Sequence, residues 1–222
     1  MSLATYAIMT NQSVINYMPP AIPRPVVRDP GAKKRHILEA ARRLLIEHDF
    51  QDIVLDDVAK KAGVAKGTLF LHFKNKEELF SAAFADLADS LGQELEALLK
   101  TGLKGKEMLS ASAKVVLNHF DRNRDFMGLG AGRMPSCGSR GRGKSMLAEK
   151  YLSNQALLLR LLVAASSDEG RSIRDQEYAP VFFIGLCRSS AVARLLRGRE
   201  GPFERESERV VNFFLDGSGI SL

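Results

Sequence analysis

The stretch from Gly63 to Phe84, GVAKGTLFLHFKNKEELFSAAF, constrains the fold of this chain more than any other. Just upstream, Leu55, Val58, Ala59 and Ala62 recur at spacings of three and four, which places them on one face of a short helix. Gly63 is suited to end that helix, because glycine takes the left-handed conformation of a tight helix stop at no steric cost. Val64 supplies an apolar side chain in the turn, and Lys66, Gly67 and Thr68 open a second short helix with Leu69 and Phe73 on its inward face. Short helices joined in this way make a helix-turn-helix. The second begins with a lysine, a residue without bulk and a hydroxyl, so its amino end can approach a phosphate backbone while its dipole attracts anions. The recognition helix is therefore expected to enter DNA by its amino end.

The run Gly63-Val64-Ala65-Lys66-Gly67-Thr68-Leu69-Phe70-Leu71-His72-Phe73, followed by Lys74-Asn75-Lys76-Glu77-Glu78-Leu79, resembles the signature of TetR-type transcriptional regulators. The resemblance covers residues 33 to 85; beyond them the chain is similar to the family in length and helical character. It implies an all-α fold with an N-terminal three-helix helix-turn-helix DNA-binding domain (33–80) and a C-terminal helical effector-binding and dimerisation bundle (81–222), while the aperiodic, proline-rich residues 1–32 read as a flexible tail. It also implies that Lys66, Gly67, Thr68, Phe70, Leu71, His72 and Lys76 sit where such regulators touch their operator. Three positions depart from the family pattern. Phe70 replaces the usual tyrosine and removes a phosphate hydrogen bond, Asp49 stands where a glycine usually ends the first helix, and Val54 stands where a Thr or Ser often caps the second. Asp56 is the candidate for part of the missing cap or for favourable dipole charge.

Composition bounds the class. The chain has 222 residues, 45% of them hydrophobic, which suffices for a substantial core, and a formal net charge of +6, which favours a polyanionic partner without specifying sequence. Cys137 and Cys187 are far apart and lack metal-ligand spacing, so free thiols are expected. No uninterrupted apolar run approaches the roughly 20 residues that span a bilayer, and no basic, then apolar, leader opens the chain, so a cytoplasmic protein is expected. No HExxH, GxSxG or Walker pattern is present, and no cofactor is expected.

Along the chain, Pro19, Pro20, Pro23, Pro25 and Pro30 forbid a helix across the second half of the first 32 residues. A solvated leader explains this segment more simply than a basic arm reaching a minor groove. Ile37, Ala40, Ala41, Leu44 and Leu45 mark a helix over Lys33 to His48. Asn75 with Glu78 forms a capping-box variant that opens a long helix striped by Leu79, Ala83, Phe84, Leu87, Leu91, Leu95 and Leu98. A further helix runs to about Arg124 with Met108, Ala111, Val115, Val116, His119 and Phe120 inward. His119 has no metal partners at suitable spacing and reads as a core or boundary histidine. Residues 128–143, GLGAGRMPSCGSRGRG, read as a flexible connection rather than a phosphate loop. Helices over Lys144 to Ser167, Tyr178 to Leu196 and Phe203 to Leu215 complete the body.

Two of these late helices are more apolar than one packed face requires, so a second protomer is expected to cover part of them and form a four-helix bundle. A two-fold pair would hold recognition helices roughly 34–36 Å apart, the spacing that reads a palindrome. Regulators of the resembled type bind a small effector among the middle helices; here His119, Phe120, Tyr151, Gln155, Tyr178 and Phe182 are the candidates for its cavity, and ordinary packing explains each equally well. The leading reading is a homodimeric repressor released from a palindromic operator by a small molecule. The alternative from another class is a helical-bundle enzyme or small-molecule carrier with nonspecific affinity for nucleic acid.

Overall fold

A computed structural model describes residues 30–127, 142–167, 173 and 175–216. All regular structure among the described residues is helical: α1 (Pro30–Glu47), α2 (Leu55–Lys61), α3 (Lys66–His72), α4 (Lys76–Leu99), α5 (Gly105–Arg122), α6 (Arg124–Met127), α7 (Arg142–Ser167), α8 (Ala179–Leu196), a 3-10 turn (Phe203–Glu206) and α9 (Ser207–Asp216). Helix α1 opens at Pro30, three residues earlier than the sequence pattern places it, because proline is tolerated in a first turn whose N–H groups have no intrahelical acceptor. The last helix begins as a 3-10 turn, with α9 taking over at Ser207. The proline-rich tail before residue 30 and most of the glycine-rich stretch at 128–143 lie outside the described residues.

The buried side chains form two separate clusters. The head cluster gathers Ile37, Leu38, Ala41 and Leu45 from α1, Val58 from α2, Leu69 and Phe73 around α3, and Leu79, Phe80 and Ala83 from the start of α4. The body cluster takes Leu91, Leu95 and Leu98 from the far end of α4, Met108, Val116, Leu117 and Phe120 from α5, Leu158, Leu161 and Leu162 from α7, and Phe183 and Cys187 from α8. Helix α4 is thus one rod shared by two cores.

Local chemistry sets the head's turns. Gly63 takes φ +66°, its N–H bonds to the Lys60 carbonyl and the Val64 N–H bonds to the Ala59 carbonyl, so two end-of-helix acceptors on α2 are satisfied. At the other end of α2, Val54 provides no side-chain cap, and the carboxylates of Asp56 and Asp57 in the first turn supply the charge that favours that end. Asp56 does not replace the cap, because its carboxylate is turned to Lys66. Asn75 Oδ1 accepts from the Glu78 N–H at 2.8 Å, while Glu78 reaches back to the N–H of Lys74 rather than of Asn75, a capping box displaced by one residue. Arg42 on α1 bonds Asp86 on α4 at 2.8 Å, and α6 packs against α1, so the body also touches the head away from α4.

In the body, α4 and α7 approach so closely that a Cβ on Gly92 would stand 2.6 Å from Asn154 Oδ1, and the Asn154 amide donates to the Ala88 carbonyl at 2.7 Å. Helix α8 is 18 residues long with a mean hydropathy of 1.4, long and apolar enough to cross a membrane by those measures alone. In the fold its inner face is core, with Phe183, Cys187 and Ala191 buried. Arg194 on that face is also buried and bonds Glu206 at 3.0 Å, and both side chains are 7% exposed. Arg209 binds the other carboxylate oxygen of Glu206, while Arg194 also donates to the carbonyls of Glu200 and Gly201. This network clamps the end of α8 to the 3-10 turn and α9. Breaking a buried pair leaves an uncompensated charge, so Glu206→Ala is expected to lower unfolding free energy by about 3–5 kcal/mol, measured by urea denaturation.

Candidate nucleic-acid interface

The outer surface of the helix-turn-helix carries the sequence-predicted contact residues. Leu69 is the buried anchor of α3, and the turn of helix that follows leaves Phe70, Leu71 and His72 on the exposed side. Leu71 is 86% exposed although it is a large apolar residue on a short helix held by a core of its own. An apolar side chain so placed gains nothing from the fold and is available to a partner. Gly67 has nothing within 4 Å of where a Cβ would lie, so the amino end of α3 is open to close approach. Thr68 is half-buried beside it.

The basic residues are less free than their sequence positions suggest. Lys66 Nζ lies 2.8 Å from Asp56 Oδ2 on α2, and 6.0 Å from the centre of the Phe70 ring. Lys76 Nζ donates to the carbonyls of Phe50 at 2.7 Å and Gln51 at 3.1 Å, and stands 4.5 Å from the centre of the Phe50 ring. It therefore ties the start of α4 to the loop between α1 and α2, leaving one of its three ammonium protons for another acceptor. Phe50 itself meets Phe80 edge-on at 5.3 Å. Sequence periodicity misses Asp56 and Phe50 as partners, since each bond joins separate elements ten or more residues apart. Lys61 is likewise engaged, by Glu47 across 14 residues, and lysine beside its carboxyl holds the Glu47 pKa below the usual range.

The body residues expected to line an effector cavity divide into two groups. His119 and Phe120 are buried, and Gln155 is half-buried with its Nε2 enclosed, whereas Tyr151, Tyr178 and Phe182 stand on the surface, the last two with rings 6.0 Å apart. Phe120 lines a small apolar cleft with Arg124, Arg188, Val192, Leu195 and Phe203. The separation follows from α8 turning Phe183 and Cys187 inward, which sends Tyr178 and Phe182 outward.

His119 Nδ1 and Gln155 Nε2 are buried polar atoms without a hydrogen-bond partner. Glu94 Oε1 lies 3.9 Å from His119 Nδ1, beyond hydrogen-bond reach, and is held instead by Arg122. Burial pushes the His119 pKa below the ordinary histidine value of 6.5; the nearby Glu94 opposes this and Arg122 adds to it. Cys187 is buried too, and burial raises its thiol to about 12, which makes it unreactive. Cys137 lies outside the described residues. No group of three or more His, Cys, Asp or Glu side chains capable of holding a metal occurs among the described residues.

Residues 37–83 match the family described as bacterial regulatory proteins, tetR family. A fatty acid metabolism regulator protein of Bacillus subtilis is 33% identical over 88 residues, covering 40% of this chain and 44% of the relative. The chain spans less than half the length of the first curated relatives it matches, with 44%, 44% and 29% covered. The transcriptional regulator FadR from Bacillus subtilis, solved in complex with stearoyl-CoA, has a TM-score of 0.68 at 18% identity, with 84% of this chain and 99% of that one covered. A tetR-family regulatory protein from Rhodococcus RHA1 gives 0.67 at 16% identity, with 86% and 98% covered. Both structures share the fold.

The depressed His119 pKa has a sign. The unfolded chain takes up a proton near pH 6.5 while the folded chain resists it, so stability is lost as pH falls below that value and levels off below the folded pKa. His119→Leu is expected to flatten this part of the profile, measured by urea denaturation in steps from about pH 7.5 to pH 5. The head, on its own compact core, thus matches the tetR family of bacterial regulatory proteins over residues 37–83, and the chain as a whole shares its helical fold with solved regulators.

Proposed function

We propose that this protein is a homodimeric, sequence-specific DNA-binding repressor that a small molecule releases from a palindromic operator. The observation that carries the DNA-binding reading is the outer face of α3: an open amino end at Lys66 and Gly67, followed by exposed Phe70, Leu71 and His72 on a helix whose inward residue is fully buried. In this reading Lys66, and Lys76 through its remaining proton, meet phosphates and set affinity. Thr68 and Leu71 meet base edges, Leu71 through thymine methyl groups, and Gly67 lets the backbone come close. Phe70 and His72 flank them on the same surface.

A second copy is the proposed cover for the outer stripes of α7 and α8. Leu152 and Val163 on α7, and Phe182, Val192 and Leu196 on α8, remain exposed, Leu196 at 84%. Apolar area of this kind on paired antiparallel or crossing helices supports a four-helix interface. The effector site is proposed where His119 and Gln155 lack partners, since a ligand offering acceptors there satisfies both. The fatty acyl-CoA class is the first to test, because the fold relative from Bacillus subtilis was solved with stearoyl-CoA. A ligand of this kind releases DNA only by favouring a conformer whose recognition helices are misplaced. A cytoplasmic location and a binding rather than catalytic role accompany the reading.

Selection of random duplex DNA by the purified chain is expected to recover a palindrome, and the Lys66→Ala, Thr68→Ala double variant is expected to lose it. Weak binding without sequence preference, unchanged in that variant, would refute the operator reading. Leu196→Glu is expected to yield monomers in sedimentation equilibrium while far-ultraviolet circular dichroism keeps its helical signal.

A further inference from the structure

We propose that Asp56 is a determinant of DNA affinity: its carboxylate occupies Lys66 in the free protein, and a phosphate must displace it. The inference rests on the DNA-binding reading above. The Nζ to Oδ2 distance is 2.8 Å, and the side chains are 62% and 58% exposed, so the pair bridges α2 and α3 on the solvent side of the head. Exposed ion pairs are weak and exchange readily. Lys66 Nζ also lies 6.0 Å from the centre of the exposed Phe70 ring, so the ammonium stands on the outer surface, where a phosphate can take over from the carboxylate.

The exchange has a cost that Lys66 alone does not reveal. When the ammonium turns to a phosphate it releases a counterion from the duplex, the usual source of salt-dependent affinity. Asp56 is then left unpaired beside a polyanion and takes up a cation from solution. The two ion movements offset each other, so in the natural chain Lys66 contributes little net salt dependence. Asp57 is the neighbouring charge in the same turn, but the carboxylate that meets Lys66 belongs to Asp56. The effect is independent of base sequence, because the competing group is a phosphate.

Titration of a fluorescently labelled random-sequence duplex with the full chain at several salt concentrations tests this. Asp56→Asn is expected to bind roughly twofold to fivefold tighter at low salt, with a log–log salt slope steeper by about 0.9. Asp57→Asn, which changes net charge equally, is expected to do less, and the gain from Asp56→Asn is expected to shrink in a Lys66→Met background. Equal gains from Asp56→Asn and Asp57→Asn, or equal gains with and without Lys66, would overturn the inference while leaving DNA binding intact. No binding of any duplex by the natural chain would overturn both.

Discussion

The structure depends on one continuous helix being buried at both ends by different partners. Leu79, Phe80 and Ala83 of α4 belong to the head core, and Leu91, Leu95 and Leu98 belong to the body core. A 24-residue helix is about 36 Å long and holds its shape through its own hydrogen bonds, so the two cores are joined by a stiff element rather than a linker. The contact of α6 with α1 and the bond from Arg42 to Asp86 give that joint a second point of support. A change in body packing thus reaches the head as a change in position, with little loss to bending.

The charge of the head is organised as much inward as outward. Glu47 holds Lys61, Asp56 holds Lys66, and the carbonyls after α1 hold Lys76. A count of lysines in the head therefore overstates the ammonium groups that stand free of an internal partner. For Lys76 the internal bonds orient the side chain in advance, which reduces the entropy lost when its last proton finds an acceptor. For Lys66 the internal bond is, in the proposed interface, a competitor. Two lysines of the proposed recognition surface thus differ in kind, and the partner atoms, carbonyl or carboxylate, distinguish them.

The head was legible because its signals are local: the glycine stop after α2, the Asn75 cap and the inward Leu69 each depend on residues within one or two turns. The stripe on α4 was likewise readable, although Phe80, Ala82 and Ala85 are buried outside it, since a helix enclosed on several sides loses its single apolar face. The helices of the body were legible as helices, but their facing was not. Cys187 and Phe183 turn inward while Phe182 turns outward, and in a run of consecutive apolar residues no periodicity decides this. The clamp of Arg194 and Glu206 was invisible for a related reason: a buried arginine in an apolar helix is understood only when its acceptors arrive from a later segment.

The near contact of Gly92 with Asn154 has a mechanical meaning. With a side-chain oxygen 2.6 Å from where a Cβ would stand, α4 and α7 cannot come closer there, and the bond from Asn154 to Ala88 discourages axial sliding. A rigid tilt of α4 against α7 would have its fulcrum at this point. Gly92 lies 16 residues from Lys76 and 7 from Leu99, which gives unequal arms of about 24 Å toward the head and about 10 Å toward the body. A tilt of about 5° at the fulcrum moves the head end by about 2 Å, more than twice the displacement at the short arm. Such a tilt would carry a small rearrangement of the body core, amplified, to the surface that holds α3.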